Sequence, residues 1–272
     1  MSASLGGLIK DYRVQKNLSQ LEIAFALGWK EPSRLSRIEQ GRVSNPPREL
    51  IDRIIEVMDL KEEEKNHLLL IGNYLPTQEE IEKIRKEVNP IINNWPYPAY
   101  VLDFSWRFLA WNERTSWVYE ITEKAKPQII KNMNRTIEMV FNPQFIQNRL
   151  LDGKELEKWH ESLLQKLILF KFNQQARTKE LWYRDFISQM MDNELFTHLW
   201  PKARLSKEIA ELDKYERKSI VNIRNTKSRL EFHIFKVPLL LDPRFEIDFH
   251  VPTNQNTHAQ FKNSKHGKNL PP

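Results

Sequence analysis

The chain has 272 residues and a formal net charge of +6. That length has room for a small domain plus a larger one, and the basic balance mildly favours an acidic partner. With no cysteine, disulfides, thiolate zinc sites and thiol catalysis are excluded, and a reducing compartment is suited. No apolar run approaches the roughly 20 residues of a membrane span. The opening MSASLGGLIKDY lacks a signal-peptide core, so a cytoplasmic protein without membrane contact is expected. Only seven glycines are present, and neither a G-x-G-x-x-G nor a Walker loop occurs.

In chain order, Leu5 to Lys16 reads as a helix with Leu8, Ile9 and Tyr12 inward. Ser19 is an N-cap residue, and Ile23, Ala24 and Leu27 then share one face. Gly28 stops that helix. Glu31 and Pro32 open another, because proline fits a first turn whose N–H is unpaired anyway. Leu35 and Ile38 face inward there, Ser33, Arg34, Ser36, Arg37 and Gln40 face outward, and Gly41 ends the helix. A short rod with one dry side and one side of Arg, Ser and Gln suits a DNA major groove. Over 1–48, eight basic side chains (Lys10, Arg13, Lys16, Lys30, Arg34, Arg37, Arg42, Arg48) face four acidic ones (Asp11, Glu22, Glu31, Glu39), so the positive field gathers on these helices. Asn45-Pro46-Pro47 is a turn. Arg48 to Leu60 and a helix opening at Lys61-Glu62-Glu63-Glu64 complete five helices by residue 75.

Lys10-Asp11-Tyr12-Arg13, Asn17-Leu18-Ser19-Gln20, Ala24, Leu27-Gly28 and Ser36-Arg37-Ile38-Glu39-Gln40-Gly41 together resemble the phage-repressor (XRE-type) helix–turn–helix. The usual glycine before Leu-Ser-Gln is Asn17, which tolerates a left-handed cap, and the turn after Gly28 is one residue longer. The resemblance implies a structural ion pair between Arg13 and Glu39, and a phosphate contact from Gln20 helped by its helix N-terminus. The expected base readers are Ser33, Arg37 and Ser36. Arg34, Arg42 and Arg48 are expected on phosphates, and Gln40 completes the DNA-facing set.

Pro76-Thr77 breaks the chain, and Thr77 with Glu80 makes a capping box. Ile81, Ile84, Val88, Ile91 and Ile92 form an apolar stripe to about Asn94, on a connecting helix and linker over 76–97 that joins the domains or pairs with its twin. Ala99 to Asp103 and Arg107 to Trp111 read as two strands, and Asn112 caps a helix. The stretch PAYVLDFSWRFLAWN, and NELFTHLWPKARL further on, resemble the MmyB-like ligand-binding domain, a PAS-like fold, over about 98–252. Between them the chain is mostly helical to about Tyr215. There is a turn at Phe141-Asn142-Pro143, and helices span Asp152 to Phe172 and Lys179 to Met191. The first carries Leu156, Trp159, Leu163, Leu164, Leu167 and Phe170. Strands follow over Ser219 to Asn225, Leu230 to Val237 and Phe245 to Val251. The polar tail over 253–272 is expected to be disordered.

The fold class expected is α+β: a five-helix all-α helix–turn–helix domain, then a PAS-like domain with an antiparallel sheet and several helices. No catalytic constellation is legible. His160-Glu161 lacks a second histidine at metal spacing, His198, His233 and His250 are scattered, and no nucleophile elbow occurs, so no enzyme activity and no metal are expected. The second resemblance implies a small hydrophobic ligand of the fatty-acid kind between sheet and helices, where sites are concave and apolar. Tyr100, Phe108, Trp111, Trp117, Phe141, Trp159 and Phe232 are the candidate walls. A homodimeric regulator of double-stranded DNA is the reading that joins these parts. Two alternatives stay open: a C-terminal platform for protein interaction or dimerisation without ligand, and an enzyme with an appended DNA-binding domain.

Overall fold

The computed structural model describes residues 4–43, 45–142, 153–204, 216–223 and 228–263. They divide into two units, Met1–Pro76 with Pro238–Phe245, and Thr77–Val237 with Glu246–Pro272. The expected features at Pro143, Asp152, Asn225 and 264–272, and the helical stretch over 205–215, lie outside the described residues. The architecture is α+β.

The first unit forms where caps and apolar spacing coincide. Helix α1 (Leu5–Gln15) starts on Ser4, whose hydroxyl accepts from the Gly7 N–H, and ends before Asn17 in the left-handed region. Helix α2 (Gln20–Ala26) carries a full capping box between Ser19 and Glu22. Helices α3 (Ser33–Glu39), α4 (Arg48–Val57) and α5 (Glu62–Ile71) follow. Their apolar stripes close one core in which Leu8, Ile9, Ile23, Leu35, Ile38, Ile51, Ile54, Leu68 and Leu69 are all but sealed from solvent. The chain after α5 is fastened by the Tyr74 hydroxyl, which donates to the Pro46 carbonyl at 2.6 Å.

Pro238–Phe245 belongs to this unit, which no periodicity announced. Its Arg244 is fully buried. Arg244 Nε donates to Asp242 Oδ1 at 2.9 Å and Nη2 to Oδ2 at 2.8 Å, and Nη2 also reaches Asn66 Oδ1 at 3.3 Å. Asn66 completes the exchange by donating to the Leu241 carbonyl at 2.8 Å. Burying a guanidinium is tolerable only because a carboxylate and an amide surround it.

In the second unit, helix α6 (Gln78–Asn94) opens with the expected Thr77–Glu80 capping box. Ile81, Ile84, Val88 and Ile92 are buried, whereas Ile91 is 53 % exposed and falls outside the stripe. A five-stranded sheet follows, in the order β2-β1-β5-β4-β3. The strands are β1 (Ala99–Asp103), β2 (Phe108–Trp111), β3 (Glu216–Ile223), β4 (Ser228–Pro238) and β5 (Phe245–Pro252). The β1–β2 and β3–β4 pairs are antiparallel. The β1–β2 turn is built around Asp103, whose Oδ1 accepts from the Ser105 N–H, the Ser105 hydroxyl and the Arg107 N–H, while Oδ2 takes Arg107 Nε at 2.5 Å. Asn112 is the junction of the unit. Its Nδ2 donates to the carbonyls of Ile92 and Tyr97 while its Oδ1 accepts from the Thr115 N–H, so one side chain binds α6, the start of β1 and the next helix.

Between β2 and β3 lie α7 (Glu113–Val118), α8 (Ala125–Asn132), α9 (Thr136–Phe141), α10 (Gly153–Gln174), α11 (Leu181–Met190) and α12 (Glu194–Leu199). On α10, Leu163, Leu167 and Phe170 are buried as the spacing requires, but Leu156 is exposed. The tail is corrected in part: Gln255–Asn263 forms helix α13. Its anchors are few but well placed. Thr257 is buried and its hydroxyl accepts from the Glu231 N–H at 3.0 Å, and the Phe261 ring meets those of Tyr97, Trp117 and Phe232. Among the described residues, no helix is long and apolar enough to cross a membrane.

Arg244→Met should leave the Asp242 carboxylate and the Asn66 amide dry and unmatched, costing about 3–5 kcal/mol. The urea midpoint of the first unit reads this. Pairing the change with Asp242→Asn should recover part of the loss.

Candidate nucleic-acid interface and ligand cavity

The helix–turn–helix is shaped by short-range backbone chemistry. At the end of α2, Gly28 has φ +78 and the Trp29 N–H donates to the Ala24 carbonyl at 2.8 Å, so the chain reverses through a conformation that side chains with a Cβ rarely adopt. Trp29 is half-buried against the core, and the Arg34 guanidinium sits 4.7 Å from its ring centroid. Leu35 and Ile38 pin α3 from behind. Gly6 explains how tightly α1 meets α3: a Cβ there would lie 2.1 Å from the Ile38 carbonyl oxygen. That requirement is invisible in sequence, because it depends on a contact between helices.

One buried carboxylate ties three helices together. Glu39, on α3, accepts from Arg13 Nε at 2.6 Å and Nη2 at 3.0 Å, from α1, and from Gln20 Nε2 at 2.7 Å, from α2. Arg13 also donates to the Leu18 carbonyl at 2.8 Å. The Glu39 hydrogen bond is the main reason the Arg13 guanidinium is held above its ordinary value, against the opposing effect of burial. The Arg13–Glu39 ion pair is therefore present as the resemblance implied. Gln20 is drawn into it, so one amide N–H expected on a phosphate points to Glu39.

The remaining expected contacts sort by what already holds them. Ser33, Arg34, Arg37 and Gln40 are exposed on α3, and Arg42 is exposed just beyond it. The Ser33 hydroxyl donates to Glu31 Oε1 at 2.7 Å, and Gln40 Nε2 donates to the half-buried Ser36 hydroxyl at 2.9 Å. Arg48 is occupied: its Nε donates to both Asp52 oxygens, at 2.8 and 3.0 Å, and Nη1 to the Leu75 carbonyl. Arg48, expected on a phosphate, thus also lies in an i,i+4 pair on α4.

In the second unit a cavity of about 90 Å³ opens between the sheet and its helices. Of the seven candidate walls, Tyr100, Phe108 and Trp159 line it. The other four do not. Trp111 packs beside Phe108 and donates Nε1 to the Ser116 hydroxyl. Trp117 and Phe232 close on Phe261, and Phe141 lies edge-on to Phe196. Aromatic content alone does not separate a wall from ordinary core. The walls that sequence reasoning missed are Leu102, Trp106, Tyr119, Ile121, Thr136, Met139 and Val140, with three charged residues, Lys166, Lys236 and Asp248. Lys236 carried a usable signal, since it continues the inward register of Phe232 and Ile234 on β4.

A family model described as a helix-turn-helix domain matches residues 4–68. No curated protein matches the chain. The first unit thus carries a helix–turn–helix domain, the kind of element that reads DNA.

Two outcomes follow from this geometry. Arg13→Ala should cost about 3–5 kcal/mol by stranding Glu39 in a dry site, read as a lowered denaturation midpoint. Glu22 is held below the usual carboxylate range, first by the Ser19 N–H and then by the Ser19 hydroxyl. A depressed carboxyl contributes stability above its unfolded value and loses it as pH falls through the folded one. Glu22→Gln should therefore lower the thermal midpoint at neutral pH, with the difference from wild type closing in acid.

Proposed function

We propose that this chain is a sequence-specific DNA-binding transcription regulator whose second unit senses a small ligand. The observation that carries the DNA half is the exposed flank of α3, where Arg37 stands in the open between Ser33 and Gln40 while Leu35 and Ile38 fix the opposite side. Arg37 and Ser33 read bases, with Ser36 behind them. Arg34 and Arg42 hold phosphates. Gln20 contributes mainly by orienting Glu39, and Arg48 is spent on Asp52. The protein acts as a homodimer, since two reading heads fit half-sites about 34–36 Å apart, or multiples of that spacing.

The sensing half rests on the cavity. Support for a PAS-like reading comes from a five-stranded sheet, a helical excursion between β2 and β3, and a hollow between the two layers. The walls are mainly apolar, as ligand sites are. Occupancy regulates only if the ligand binds unequally to the DNA-competent and DNA-incompetent arrangements of the dimer. No catalytic step is assigned to the chain.

Binding sites selected from random duplexes give the operator, and fluorescence anisotropy on it then separates the two arginine roles. Arg37→Ala should lose about 1–3 kcal/mol at one base pair and relax the preference there. Arg42→Ala should weaken all duplexes alike and flatten the slope of log K against log salt by about one unit. Equal loss of sequence preference in both variants would refute the assignment, and indifference to duplex at low ionic strength would refute the function.

A further inference from the structure

The outward flank of α3 is ordered by hydrogen-bond sense. At its N-terminal end the Ser33 hydroxyl donates to Glu31 Oε1 at 2.7 Å, and both residues are exposed. A carboxylate offers lone pairs and no proton, so the serine proton is committed to Glu31. What faces outward there is acceptors only: the remaining Ser33 lone pairs and the Glu31 oxygens. Arg37 lies four residues on from Ser33, on the same face and one helical turn away, about 5.4 Å along the axis. It offers donors only. The contact with Ser33 also fixes the Glu31 carboxylate on this face, opposite the buried Leu35 and Ile38.

A serine by itself does not choose between bases, because its hydroxyl both donates and accepts. Bound to Glu31 it chooses. In the major groove cytosine N4 and adenine N6 present amino donors, whereas guanine O6 and N7 and thymine O4 present lone pairs. Every base pair holds one base of each kind, so an acceptor end on α3 favours one orientation of the pair and repels the reverse. A carboxylate in this place also repels phosphate, which lowers the affinity for every duplex in which no amino group meets it.

Resting on the reading of α3 as the DNA-reading helix, we propose that Glu31 is a specificity-determining residue. It makes Ser33 an acceptor and demands an exocyclic amino group, from cytosine or adenine, one or two base pairs from the pair that Arg37 reads.

Selection from random duplexes by the full chain, repeated with Arg37→Ala and Glu31→Gln, tests this. Arg37→Ala locates the first pair by the preference it relaxes. Within two steps of it, wild type should fix which strand carries the amino-bearing base. Glu31→Gln, whose amide both donates and accepts, should keep the first preference and lose about tenfold discrimination at the second. Its affinity for unselected duplex should rise while its thermal midpoint stays. Anisotropy on the selected duplex adds a measurement on the unaltered chain. Exchanging the cytosine for pyrimidin-2-one, or the adenine for purine, deletes the amino group and should weaken wild type about tenfold. An orientation preference unchanged in Glu31→Gln, no such preference near the Arg37 pair, or indifference to the amino deletion overturns the role of Glu31 and leaves DNA reading in place. Enrichment of no duplex at all overturns both.

Discussion

The first unit depends on a single sealed carboxylate. Glu39 lies in a dry position on the last turn of α3 and takes hydrogen bonds from α1 and α2 at once. A buried charge is tolerable only while its partners are in place, so the three helices either adopt their mutual angles or leave Glu39 stranded. This constraint turns a loose set of short helices into a rigid presenter. None of α1, α2 or α3 is long enough to hold its own shape in water, since helices under about 12–15 residues are marginal alone. The outward flank of α3 is thus precise because its inward flank is over-determined.

The same economy explains which polar side chains remain available. Arg48, Gln20 and Arg13 are all basic or amide groups of the first unit, and each hydrogen-bonds to a carboxylate of the same unit. What remains outward, Arg37 and Arg42 above all, is set by subtraction. Recognition surfaces on small domains are made this way: the fold consumes the polar groups it needs, and specificity is written with the rest.

Legibility followed the range of the interactions. Caps and stripes are local, so the Ser19–Glu22 and Thr77–Glu80 boxes, the left-handed Asn17 and the stop at Gly28 were readable from neighbours alone. Gly6 was not, because its need for a missing Cβ comes from carbonyls on another helix. Within the tail, the helix over Gln255–Asn263 is hidden by polar composition, because its two anchors, Thr257 and Phe261, find their partners on other elements. The cavity was half legible. Tyr100 and Phe108 lie on strands buried on both faces, and Trp117, Phe141 and Phe232 are equally large and apolar, so the tertiary arrangement is what distinguishes lining from filling. The charged lining was least visible, since Asp248 sits in an otherwise ordinary strand.

The membership of Pro238–Phe245 in the first unit has a temporal consequence. Domains generally fold in order of emergence during synthesis, the N-terminal one first. Here residues up to Pro76 emerge early, but the Arg244 that packs against Asn66 and Asp242 is translated only after most of the second unit has left the ribosome. The helix–turn–helix unit is therefore finished late, and a nascent chain carries it incomplete until Arg244 has been made.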